Sequence, residues 1–379
     1  MANTLKFGNG KWYGKEGTIL AYNDENYNYK PLPFNFERGS SATVINKDGL
    51  IETVVSDMPR IDYKDDSKGA LLLEPSRTNY VLYSETEGII RGSNGWSGDS
   101  DSIITQNYGT TPFNGSELKS TRIQFTGYSK EFRNIFPSVT IIPTCSIWIK
   151  GSVGKTIKFG SNGNEGVFTL NGEWQKLVQT GSSSSTSRLT INTYSSTTAR
   201  DIEIFAPQLE QGSYATSYIP TQGSAVTRLA DVCSQTPPSG IIGQTEGTMF
   251  IEIGKKITPS IALFECGQGS SQHRFFVYTD ASSKLKVLIV NNYSVQVNYT
   301  STVNVESNAK IAIGYANNNY AIYLNGSLLE TDTSATVPPM NQIAIASDRG
   351  TIVTASNQIK ETKLYNTRLS NSELQALTS

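Results

Sequence analysis

Histidine occurs once among the 379 residues and cysteine three times. His273, in "SSQHRFF", is the only centre on which a Ser-His-Asp or Cys-His arrangement could be built, and no Gly-x-Ser-x-Gly elbow accompanies it. Zinc asks for several converging His or Cys ligands, whereas Cys145, Cys233 and Cys266 lie far apart. The spacing gives no metal site and no even disulfide framework, and the thiols are expected to be buried and reduced. No apolar run is long enough to cross a membrane as a helix, and the opening "MANTLKFGNGKWYGKEG" lacks the apolar core of a secretion signal. A soluble product with no membrane partner is expected. Charge is scarce at 17% and balanced, 32 basic against 33 acidic side chains, which gives no electrostatic reason to expect a nucleic-acid partner. No cofactor is implied.

Serine, threonine, asparagine and glycine fill the space that charge leaves, and aromatics reach 10% with 19 tyrosines. That balance favours strands and turns over long amphipathic helices. Three hairpins are predicted from Asp48-Gly49, Asn171-Gly172 and Asn325-Gly326, each set between β-rich runs, because type I′ turns need positive φ at both central residues. "RDIEIF" alternates so that Ile202 and Ile204 share one face and Asp201 and Glu203 the other. One helix start stands out: Ser370 followed by Glu373 forms a capping box before Leu374 and Leu377. The expected fold is all-β: an irregular, β-rich N-terminal anchor segment (1–80), two β-sandwich domains of jelly-roll type (81–235 and 241–379), and one short C-terminal helix.

Glycoside hydrolysis needs only two carboxylates, so one histidine does not exclude it. Asp201 with Glu203, or Glu252 with Glu265, are the available pairs, but an i, i+2 acid pair is also the ordinary wet face of a strand, and no catalytic residue is assigned. Sugar binding without catalysis asks for an exposed aromatic and a few amides. Trp96, Tyr293, Tyr299 and Tyr320 lie in such Asn- and Ser-rich contexts, although strand aromatics also fill cores. Acidic loops such as "SGDSDS" and "YKDDSKG" hold oxygen ligands without the EF-hand register, so no metal is assigned.

The first 85 residues, through "R-G-S-S-A-T", "DGLIE", "PRIDY" and "LLLEPSRTN", closely resemble the N-terminal region of virion surface proteins of tailed phages, notably crAss-like phages. Val44 stands where the familiar pattern has arginine. "CSIWIKGS", "NGEWQKLVQT" and "IEIFAPQLEQGSYATSYIP" are similar to carbohydrate-binding-module-like jelly rolls, and "GTMFIEI" with "IAIGYANNNYAIYLNG" is similar to concanavalin or laminin-G sandwiches. The resemblance implies a non-enzymatic virion surface protein. Its expected form is a head fibre held to a major or auxiliary capsid protein, with cell-surface or mucosal glycans as possible ligands. A tail fibre or tail spike, less readily a depolymerase, is the alternative. A homotrimer is the expected assembly, with a dimer as the other option. Trp12, Tyr22, Tyr27, Tyr29, Phe34 and Phe36 are the candidate capsid-anchor and oligomerisation residues. Within "LLLEPSRTN", Leu71 to Leu73 read as a buried strand stopped by Pro75, with Arg77 bracing the turn that follows, through Glu74 or backbone carbonyls.

Overall fold

The computed structural model describes residues 5–21, 32–100, 102–113, 118–126, 130–161, 163–182, 184–193, 200–236, 241–256, 258–347 and 355–379. Among them the chain is almost entirely β-strand, and the α-helix Asn371–Thr378 carries the expected capping box between Ser370 and Glu373. Two compact units emerge: Met1–Asp48 with Thr53–Pro75 and Leu229–Ser379, and Gly49–Glu52 with Ser76–Arg228.

This division redraws the expected segments. The N-terminal stretch is no separate unit, because its strands complete the sandwich formed by the C-terminal third. In one sheet, Leu5–Gly8 pairs with Asn357–Tyr365, which is also flanked by Glu246–Ile253 and Ala70–Leu73. The rest of that sheet runs outward through Lys310–Ala316 and Tyr320–Leu324 to the edge strand Ser327–Asp332. In the other sheet, Leu32–Glu37 pairs with Val232–Gln235, and the order continues through Gln342–Ile345, Ala262–Gly267, Arg274–Thr279 and Lys284–Asn291 to the edge strand Ser294–Asn304. Leu5, Phe7, Ile19, Phe34, Phe36, Leu71 and Leu73 share one core with Leu263, Phe275, Ile311 and Ile359. The irregularity of the N-terminal sequence reflects distant partners (Glu37 lies opposite Val232, and Leu5 opposite Leu364), and a local pattern cannot carry such pairings.

The second unit packs two five-stranded sheets face to face. Ile202 and Ile204 point into its core and Asp201 outward, as the alternation predicts. Its Asn171-Gly172 turn is not a hairpin: Asn164–Thr169 and Gln175–Thr180 belong to different sheets, so the turn carries the chain across the sandwich. There Asn171 caps its own turn by accepting from the Glu173 N–H. Of the three predicted turns only Asn325-Gly326 takes positive φ at both residues, 48° and 79°. Asp48-Gly49 does close the two-stranded pair Ala42–Ile45 and Ile51–Val54, but only Gly49 is left-handed.

A buried group of charged side chains joins distant stretches of the first unit. Arg38, Arg60, Glu74 and Asp231 are all at least 98% buried. Asp231 sits between two guanidinium groups, accepting from Arg38 at 3.1 Å through Oδ1 and from Arg60 through Oδ2, which also takes the Glu74 N–H at 2.8 Å. Arg60 reaches Glu74 at 2.8 Å and the Thr43 carbonyl at 3.2 Å. Arg38 spends its remaining donors on the carbonyls of Ser40, Val55 and Met58. Burial alone would lower the Arg60 pKa, yet Asp231 and Glu74 outweigh it and raise it, so this guanidinium stays charged. Two cations and two anions balance.

A buried pair of this kind gains little over an apolar replacement, but removing one member strands the others out of water. Equilibrium denaturation of Asp231→Asn is therefore expected to show a loss of about 3–5 kcal/mol. A loss below about 1 kcal/mol, the scale of an exposed pair, would contradict this role.

Candidate functional site

Several sequence candidates turn out to be structural. Trp96 is 1% exposed, stacks on Phe132 at 4.9 Å and donates its indole N–H to the Tyr83 carbonyl, so it fills the core of the second unit and offers no ring to a sugar. Phe34 and Phe36 are fully buried, which withdraws both as anchors for another chain. Half-buried Trp12 is held by its indole N–H on the Lys68 carbonyl and lies 6.2 Å from Phe7. Tyr22, Tyr27 and Tyr29 lie outside the described residues. Of the two braces expected for Arg77, the backbone one is seen: it donates to the Ser76 carbonyl at 3.1 Å, and it also lies 3.9 Å from Glu210 and over the Tyr214 ring, while Glu74 belongs to Arg60.

The acids weighed for catalysis are each engaged. Arg122 clamps Asp201 through two nitrogens, Ser120 donates to Glu203 at 2.7 Å, Arg274 holds Glu265 at 2.7 Å, and Glu252 faces Lys360 at 3.4 Å. Among the described residues no three His, Cys, Asp or Glu side chains are grouped to hold a metal ion. All three cysteines are buried free thiols, and burial pushes their pKa values up.

Tyr293, Tyr299 and Tyr320 remain, and one end of the first unit links them. Lys284–Asn291 and Ser294–Asn304 form a hairpin closed by Asn292 and Tyr293, with φ of 49° and 63°. This is a type I′ turn with tyrosine where glycine is usual, and a left-handed non-glycine residue costs roughly 1–2 kcal/mol. The residue is 73% exposed, so little packing offsets that cost. The backbone beneath it is fastened instead: the Tyr293 N–H donates to the Gln272 carbonyl at 3.0 Å, and Gln272 Nε2 to Asn292 Oδ1 at 3.1 Å. His273 Nδ1 lies 3.0 Å from Asn291 Oδ1.

From this tip a chain of hydrogen bonds leads to a cleft. Asn291 Nδ2 donates to Thr336 Oγ1 at 3.0 Å, and Gln296 Oε1 accepts from the Thr336 N–H and hydroxyl at 3.1 and 2.9 Å. Gln296 lines an opening of about 180 Å³ between the two sheet edges, with Asn298, Tyr299, Glu330, Thr331 and Asp332 around it. Val287, Ile289, Val297, Ile313, Ile322 and Tyr320 complete the lining. Tyr320 is 2% exposed and donates its hydroxyl to the Thr336 carbonyl, so it shapes the wall. Tyr299 is half-buried; burial, then the nearby Glu330 charge, pushes its phenol pKa up. An apolar floor with amides and carboxylates above it can take the C–H face of one sugar ring and bind its hydroxyls.

Comparison with known proteins adds no identity. No protein-family model and no curated protein matches the sequence. Among solved structures, the chain is similar to the CBM40 of the Ruminococcus gnavus IT-sialidase bound to α2,3-sialyllactose (20% identity, 36% of this chain and 84% of that one, TM-score 0.31). It is also similar to domain 4 of AbnA, an extracellular GH43 arabinanase of Geobacillus stearothermophilus, in complex with arabinotriose (14% identity, 45% and 83%, TM-score 0.31). A third is the heptameric SAP-like pentraxin of Limulus polyphemus (14% identity, 35% and 70%, TM-score 0.27). At these scores the likenesses carry no functional conclusion.

A larger basin of about 370 Å³ lies on the outer sheet face of the same unit, rich in lysine. Its charges largely neutralise one another: Lys360 meets Asp66 at 2.6 Å and Glu252 at 3.4 Å, Lys363 meets Glu361 at 2.9 Å, and Lys68 donates to Asn9. The smaller cleft is the better candidate, because Glu330 and Asp332 on its rim form no ion pair among the described residues, each accepting hydrogen bonds on one carboxylate oxygen. Sequence reading missed Asn291, Thr336 and Gln296 because their link spans two hairpins. The usable signal was "VNNYSV", two β runs joined by Asn-Tyr where the turn rule calls for glycine.

If the Tyr293 backbone is strained, Tyr293→Gly should raise unfolding stability by about 1 kcal/mol. A destabilised variant would show instead that the ring has structural contacts that matter.

Proposed function

We propose that this chain is a surface protein of a tailed-phage particle, most simply a head fibre, that binds glycans through the Tyr293 tip and the adjoining cleft. The glycan reading is carried by Tyr293, a large aromatic ring held exposed in an unfavourable backbone conformation and joined by a continuous hydrogen-bond chain to an amide-lined opening. Strain retained at an exposed aromatic points to a role outside folding. The particle reading rests on the likeness of residues 1–85 to phage virion proteins.

Because the N-terminal strands are built into the first unit, attachment on this reading uses the folded unit together with the stretch 22–31, whose Tyr22, Tyr27 and Tyr29 remain anchor candidates. A shallow site holding one sugar ring binds weakly. Copies arrayed on a particle, each a homotrimer on this reading, convert weak contacts into avidity by raising the effective concentration of the second site. No catalytic residue is required, and the engaged acids are consistent with binding without turnover.

Multivalent display of the purified protein on a glycan array should give saturable binding that falls at least tenfold in Tyr293→Ala and in Tyr299→Ala, with unfolding midpoints retained. Unchanged binding in both variants would place the site elsewhere. Labelled antibody should decorate intact particles, and absence of the protein from purified virions would refute the particle reading.

A further inference from the structure

The charge of the cleft goes beyond binding glycans in general and names a class of sugar; the step rests on the cleft being the glycan site. Two carboxylates line it, Glu330 and Asp332, and no lysine, arginine or histidine does. Their placement follows from a register shift. On the edge strand Ser327–Asp332, Leu324 and Tyr323 pair with Ser327 and Leu328, and the next pair is Ile322 with Glu330, so one residue is bulged out. Residues directly opposite each other across a strand pair share a face. Glu330 therefore shares the face of Ile322, and Asp332 that of Tyr320, both buried cleft-lining residues. A bulge of this kind re-aims side chains, and here it turns two acids toward the gap between the sheets.

Inward acids on an edge strand also discourage strand-to-strand aggregation, which is the structural alternative. It does not account for the opposite wall. There Tyr299 lies across from Val287 on the inner face of Ser294–Asn304, and the Gln296 amide beside it is fixed by Thr336. Nor are the acids used up. Glu330 takes the Thr331 N–H on Oε1, and Asp332 takes the Ser334 N–H, the Ser334 hydroxyl and the Ala335 N–H all on Oδ1. Among the described residues neither forms an ion pair.

We propose that the cleft selects sugars bearing a protonated amine, such as a hexosamine with a free amino group, over neutral sugars, and disfavours carboxylated ones. The ammonium would meet Glu330 and Asp332, the ring would lie against Tyr299 and the apolar floor, and a hydroxyl would reach the amide of Gln296. Carboxylated sugars would bring a third negative charge into a site with no cation to meet it.

The test is calorimetric titration of the full chain with three probes of matched length at mildly acidic pH, where the sugar amine carries its proton: glucosamine oligomers, N-acetylglucosamine oligomers and oligogalacturonate. The glucosamine oligomer should bind tightest and oligogalacturonate weakest. Glu330→Gln should cut the amine preference about five-fold, the scale of one partly exposed ion pair, and leave binding of the neutral oligomer unchanged. Asp332 caps its turn and is the poorer position to vary. Equal or tighter binding of oligogalacturonate, or an amine preference unaltered in Glu330→Gln, overturns the selectivity while leaving the glycan site standing. Failure of all three probes to bind overturns the glycan site itself, and this inference with it.

Discussion

Asp231, held between Arg38 and Arg60, is the contact on which the first unit depends. Its partners come from the strand-to-loop turn after Leu32–Glu37, from the short strand Arg60–Asp62, and through Arg60 from Glu74 at the end of Ala70–Leu73. Asp231 itself opens the stretch that returns after the whole second unit. The network therefore closes a loop of more than 150 residues, as the Glu74 to Asp231 bond shows by its separation of 157. A buried charge cluster is a poor source of net stability but a demanding one, since displacing any member leaves a buried charge without its partner. Its contribution is best understood as register: it fixes where the N-terminal strands enter the two sheets.

With that register set, the apolar positions follow. Leu71 and Leu73 join the core beside Ile359, and Phe34 and Phe36 pack in the opposite sheet. Both sheets then run outward from this interior to the edge strands Ser294–Asn304 and Ser327–Asp332, and the cleft opens between those edges. The candidate site thus lies at the edge farthest in strand order from the buried charges. A rigid interior and a less enclosed edge are compatible within one sandwich, and binding groups placed on such a scaffold keep their geometry.

Much of this was legible where physics acts locally. Alternation in "RDIEIF", the capping box at Ser370 and the all-β composition each depend on residues within a few positions of one another, and each is seen in the fold. Asn171-Gly172 misled because a turn's chemistry states how the chain bends, not which strand it pairs with next. Phe34, Phe36 and Trp96 misled for a related reason: an aromatic among prolines, asparagines or serines looks exposed when its covering strands are distant in sequence. The motif "LLLEPSRTN" is structural, as its pattern implies, but of the two braces expected for Arg77 only the backbone carbonyl is seen, and the partner of Glu74 is Arg60, brought to it when Ala70–Leu73 pairs with Arg60–Asp62. The polar setting of Tyr293 is visible in the sequence, while its left-handed backbone, the stronger sign, is held by the Gln272 carbonyl of a neighbouring loop.

The central claim is that the N-terminal strands and the C-terminal third form one cooperative body locked by the buried charges. Native-state hydrogen exchange read by mass spectrometry tests it most directly, because backbone amides report the free energy of the unit that must open to expose them. The account predicts that amides in Leu5–Gly8, Leu32–Glu37 and Ala70–Leu73 exchange with the same opening free energy as those in Glu246–Ile253 and Asn357–Tyr365. Fast, independent exchange of the three N-terminal strands, with the C-terminal strands still protected, would contradict it.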